Sequence, residues 1–240
     1  MSEYDAQADE VMEDDADIEE QDSPLPPVPT GADEHEITQS FLGTAYRVQS
    51  GMILVALVIG GFFSRPPWEL FEWTGTAFLV GFLGTIPLAG AMFALEYVPF
   101  EGFRRIRDML VNRIAPLMAA ATAKKLFVLA ILVGIGEELI FRGLLQNWLM
   151  LQMNVHWAIL ISSVVFALCH FISPTYVVLV FGISLYLGYS AIWFTATDNS
   201  LNLVPPILIH ALYDFLAFLY LLHAWRKQQR ELPPADPEVL

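Results

Sequence analysis

Apolar residues in this chain come in long unbroken runs, with polar residues crowded between them. Six runs stand out, over 41–63, 75–96, 124–145, 155–172, 176–196 and 203–224. Each approaches the roughly 20 mostly apolar residues that one helix needs to cross the hydrocarbon core of a bilayer. The pattern therefore predicts an all-α polytopic membrane bundle of about six transmembrane helices, rising to eight if some are split or re-entrant. Between the second and third runs, 102–119 interleaves Arg104, Arg105, Arg107 and Arg113 with Ile106, Leu110, Ile114 and Leu117. That spacing suits a helix lying on the membrane surface, or equally a short helix in an aqueous loop.

Charge is distributed just as unevenly. The net charge of −14 arises wholly from the first 46 residues, which carry fourteen acids and no Lys or Arg; the remaining 12 acids balance all 12 bases. The acidity thus describes a tail, and says nothing about a basic partner of the core. Residues 1–40 are expected to be a disordered acidic tail, stiffened by Pro24, Pro26, Pro27 and Pro29, because such a composition buries too little surface to offset ordering. The membrane domain is expected over 41–225, with a short tail over 226–240. The N-terminus lacks a basic region followed early by an apolar core, so the first apolar run is expected to remain in the protein. Ten bases (Arg47, the six from Arg104 to Lys125, and Arg226, Lys227 and Arg230) fall on one side of a six-span arrangement, and only Arg65 on the other. By the positive-inside rule both termini are expected in the cytoplasm. The basic loop suits anionic membrane lipids better than nucleic acid. Nothing in the pattern fixes an oligomeric state.

Ionisable residues inside the runs change the picture most. The third run contains GIGEELIFRG, with Glu137, Glu138 and Arg142. A charge at membrane depth costs about 2.5–3.5 kcal/mol on insertion scales, so three within six residues call for partners or a purpose. Glu138 and Arg142, four apart, share a helix face and can pair. Glu137 lies about 100° around the helix and gains no such partner from spacing. This suggests a structural Glu138–Arg142 brace and a chemical Glu137, able to act as general base. The fourth run ends in FALCH with His170. The sixth contains HALYD, with His210 and Asp214 four apart, so that Asp214 can accept from one ring nitrogen and fix the His210 tautomer. Each feature also has a plain reading: a hydrogen-bonded packing histidine, a structural clamp, core or lipid-facing Phe141, Phe166 and Phe171, and a buried inert thiol at Cys169. His35, His156 and His223 are given no role. Together, though, the six ionisable groups describe an intramembrane polar site.

These segments resemble a known family. EELIFR (Glu137–Arg142) is similar to the EExxxR motif of the CPBP intramembrane proteases, which include the Rce-type CAAX prenyl proteases and bacterial Abi proteins. FALCH (Phe166–His170) resembles that family's FxxxH motif, and HALYD (His210–Asp214) its HxxxN/D motif, over a region spanning roughly 124–224. The resemblance implies an α-helical intramembrane endopeptidase of a bacterial or archaeal type of cell membrane. Its substrate would be a membrane-associated or lipidated protein or peptide. Carried over residue by residue, Glu137 would activate water with help from His170, His210 and Asp214 would stabilise the oxyanion, and Glu138 and Arg142 would support the site. No cofactor is certain. Glu137, His170 and His210 are acceptable ligands for a divalent metal such as zinc, and suit a metal-free base with an oxyanion hole equally well. Where the prenyl proteases carry asparagine, this chain carries Asp214, whose carboxylate donates nothing when ionised. Two other classes stay open: a non-catalytic scaffold or bacteriocin-immunity-type protein of the same fold, and a proton-coupled transporter.

Overall fold

The computed structural model describes residues 31–63, 66–193, 195 and 200–231, and all regular structure among them is helical. Seven helices follow in order: α1 (Gly31–Phe62), α2 (Gly75–Leu95), α3 (Glu101–Met118), α4 (Ala123–Met150), α5 (Val155–Cys169), α6 (Pro174–Ser190) and α7 (Val204–Glu231). α1 begins ten residues before the end expected for the acidic tail, and α7 runs past 226, where a second tail was expected. Residues 1–30, Arg65 and 232–240 lie outside the described residues.

Each of the six apolar runs became a helix, but they are not six equal spans. α1, α2 and α7 are long and apolar enough to cross a bilayer, and α3 with α4 form a further pair bent by 113°. α5 and α6 have 15 and 17 residues. At 1.5 Å per residue these reach only about 22 and 25 Å, short of a hydrocarbon core of about 30 Å. The bend before α4 falls where α3 tightens into a 3₁₀ turn over Ala115–Met118, and Thr122 then caps α4 by accepting from the Lys125 amide.

α4 is the axis, packed against α1, α5 and α7 and hydrogen-bonded to α6. It runs parallel to α6 at a constant offset: Arg142 meets Ser184 and Gln146 meets Gly188, each 42 residues on. It runs antiparallel to α7, and the close approach depends on Gly134. A Cβ there would stand 3.0 Å from the Ala211 amide nitrogen and 3.1 Å from the Ile207 carbonyl oxygen, both backbone atoms that cannot turn aside. Gly134→Val is therefore expected to cost about 1–3 kcal/mol by overpacking. A Tm unchanged in detergent solution would show that the two helices can separate without loss.

Two apolar clusters lie along α4. One gathers Leu42, Met118, Leu126, Leu129 and Leu222 near its start; the other gathers Ala56, Leu139, Leu203 and Ile207 further on. The outer faces are apolar as well: Leu54, Val58 and Phe62 on α1 and Phe82, Leu83 and Ile86 on α2 are more than half exposed. A soluble protein rarely shows so large a contiguous apolar surface. Placed in lipid, it carries no cost. The chain is an integral membrane protein.

Candidate active site

Polar residues occupy α4 between the two apolar clusters. Glu137 and Glu138 close its regular α-helical part, and Leu139–Gln146 then continue with wider π-helical turns. Such widened turns occur often at functional sites.

Glu138 and Arg142 are fully buried and pair at 2.9 Å. Arg142 also donates to the Ser184 carbonyl at 2.8 Å and its hydroxyl at 2.9 Å, and its guanidinium lies 4.9 Å from the centre of the Phe166 ring. A buried charge needs this number of partners, since each ion taken from water costs several kcal/mol. Spacing along α4 anticipated the pair, but not its second duty. Glu138 Oε1 also lies 2.8 Å from His210 Nδ1. A carboxylate only accepts, so His210 carries its proton on Nδ1 and turns Nε2 inward. Asp214, expected to orient this ring, instead stands 3.6 Å from Nε2, beyond a hydrogen bond. The orienting partner comes from α4, and spacing within α7 had no means of showing it.

Glu137 is not without neighbours, as spacing alone implied. Gln49 of α1 reaches its Oε1 at 3.4 Å. Its Oε2 lies 3.6 Å from His170 Nε2 and 3.8 Å from His210 Nε2, and is buried with no hydrogen-bond partner. His170 is itself fixed. Its Nδ1 donates to the Phe166 carbonyl at 2.8 Å and its ring stacks on Phe166 at 4.4 Å, so Nε2 faces Glu137 as a bare acceptor when the ring is neutral.

With six full spans, His170 would stand near the cytoplasmic end of its helix while Glu137 lay about 20 Å along its own helix from the Lys124–Lys125 pair. The structure brings the two level because α4 continues to Met150. Counted from the turn at 151–154, Glu137 lies 13 residues before Met150 and His170 lies 15 residues after Val155, so the antiparallel pair places them level. The Ser162 hydroxyl, donating to the Phe141 carbonyl at 3.0 Å, fixes that register.

Three contributors were missed from sequence. Gln49 was legible as a polar residue amid the first apolar run. Ser184 carries no signal in a helix where small residues are ordinary. Phe166, taken for a core or lipid-facing ring, is a shared wall that touches Arg142, His170 and His210. Cys169, expected to be buried, is exposed.

A cavity of about 370 Å³ lies among α2, α3, α6 and α7, and Asp214 is the member of this cluster that lines it, together with Tyr176 and Tyr213. Leu95, Leu110, Leu179 and Phe218 give it apolar walls, and Arg104 and Arg107 line it as well. Among the described residues, no group of three His, Cys, Asp or Glu side chains is picked out as holding a metal ion.

Residues 119–216 match the family model described as Rce1-like, type II CAAX prenyl endopeptidase. The match spans α4, α5, α6 and the half of α7 that carries His210 and Asp214. No curated protein and no solved structure matches the chain.

Proposed function

We propose that this chain, which matches the Rce1-like type II CAAX prenyl endopeptidase model over residues 119–216, is an intramembrane protease that cuts a peptide bond of a membrane-associated or lipidated substrate through water activated by Glu137. The observation that carries the reading is the meeting of Glu137 Oε2 with the inward Nε2 atoms of His170 and His210, at 3.6 and 3.8 Å. Catalytic hydrogen bonds are often loose before substrate binds. A water in this angle donates one O–H to Glu137 and the other to the bare Nε2 of His170, leaving a lone pair for the scissile carbonyl carbon. As the C–O bond forms, Glu137 takes the proton and the carbonyl π pair moves onto oxygen. When the tetrahedral intermediate collapses, the C–N bond breaks and Glu137 returns the proton to the leaving nitrogen. His210 donates to the oxyanion from Nε2 once it holds a second proton, with Asp214 beside it as counter-charge. Glu138 and Arg142 hold the His210 ring in place.

The largely apolar lining of the cavity supports a substrate that carries a hydrophobic or lipidated segment. The test is cleavage in liposomes of a farnesylated peptide ending in a CAAX sequence, alongside an unlipidated amphipathic peptide, followed by mass spectrometry. One or both should be cut by the wild-type protein and neither by His170→Ala at equal insertion. Cleavage by the variant at the wild-type rate would remove His170 from the chemistry. A metal-free route also predicts that exhaustive chelation leaves the rate within about twofold. Loss of activity restored by zinc would reverse that assignment.

A further inference from the structure

Asp214 leaves the site short of a donor. A tetrahedral oxyanion is stabilised by hydrogen-bond donors held about 2.7–3.1 Å from it. An ionised carboxylate offers none. Neutral His210 has already given its only N–H to Glu138. Only the imidazolium form donates inward, and one donor then faces the whole developing charge.

Tyr176 is the nearest source of such a donor that the cavity offers beside the Phe166 wall. It lines the same cavity as Asp214. Its ring packs against the cluster of Phe141, Phe166 and Val180, whose Phe166 is the wall behind both site histidines. It sits in the first turn of α6, six residues after His170, and its amide donates to the Ser173 hydroxyl at 3.2 Å, which fixes the start of that turn. Among the described residues the Tyr176 hydroxyl has no hydrogen-bond partner of its own.

Resting on the peptidase reading above, we infer that Tyr176 is a further catalytic residue, whose hydroxyl donates to the oxyanion in place of the amide that Asp214 lacks. The phenol keeps its proton throughout. It gives a hydrogen bond to the oxygen that gains the carbonyl pair, and releases that oxygen when the C–N bond breaks.

The experiment pairs kinetics with binding of a transition-state mimic, using full-length protein in detergent. Tyr176→Phe keeps the ring and its packing and removes only the hydroxyl. It should lower kcat about 10²–10³-fold, the usual loss of one oxyanion donor, with KM nearly unchanged. A phosphinate peptide, whose P–O⁻ mimics the oxyanion, should bind the variant at least tenfold more weakly, while the uncleaved parent peptide binds both proteins alike. Adding Asp214→Asn to Tyr176→Phe should recover at least tenfold in kcat by restoring an amide donor. A kcat within threefold of wild type, equal phosphinate affinity, or a loss of parent-peptide binding to the same degree as phosphinate binding would each overturn the assignment. If the wild-type protein cuts nothing yet still loses phosphinate affinity on Tyr176→Phe, the peptidase reading fails and the oxyanion site stands.

Discussion

Glu137→Gln is expected to lower kcat about 10²–10⁴-fold, the range for losing a positioned general base. The substitution is chosen for what it preserves. Glutamine has the shape of glutamate and keeps an oxygen for Gln49 to reach, as it does now at 3.4 Å. It also keeps polar atoms opposite both histidines. What it loses is the ability to take up a proton from water and return it to the leaving nitrogen. KM and Tm should therefore change little. Glu137→Ala would be less informative, because it opens a void in a buried site and can lower activity through packing. The measurement is single-turnover cleavage of the liposome-bound peptide with Tm taken on the same preparation. A rate within threefold of wild type would place the chemistry elsewhere and favour a scaffold of the same fold.

The size of that effect follows from a site whose members were legible in sequence, though their connections were not. Glu137, Glu138, Arg142, His170, His210 and Asp214 stood out because ionisable groups at membrane depth are costly and thus conspicuous. The fold class was legible for the same reason, since long apolar runs admit little besides helices in a bilayer. The depth of His170 was not legible. An apolar run of 18 residues looks like a full span, and only the end of α5 at Cys169 shows that it stops short. Nor was the partner of His210. A spacing rule sees i and i+4 within one helix, so it pointed to Asp214; Glu138 lies 72 residues away, across a helix interface that Gly134 keeps close. Gln49, Ser184 and Tyr176 show the opposite case. Uncharged polar residues are common in membrane helices, and what they do here follows from what α4 sets beside them.

The brace carries the second large expectation. Arg142→Met should destabilise the protein by about 3–5 kcal/mol, because it leaves a buried charge without its partner. At about 2–4 °C per kcal/mol for a protein of this size, Tm should fall by roughly 6–20 °C. Arg142 is 1% exposed and Glu138 fully buried, so water cannot replace the lost contacts. Glu138 Oε2 already has no hydrogen-bond partner, and the Ser184 carbonyl and hydroxyl would lose their donor too. The double variant Glu138→Leu with Arg142→Met separates two roles that the single variant mixes. It removes both charges, so much of the lost Tm should return. Activity should not return with it, because the carboxylate that holds His210 through Nδ1 has gone. Stability and catalysis should therefore part company at this one residue. Full recovery of both would mean that Glu138 serves only Arg142, and that His210 finds its orientation from Asp214 after all.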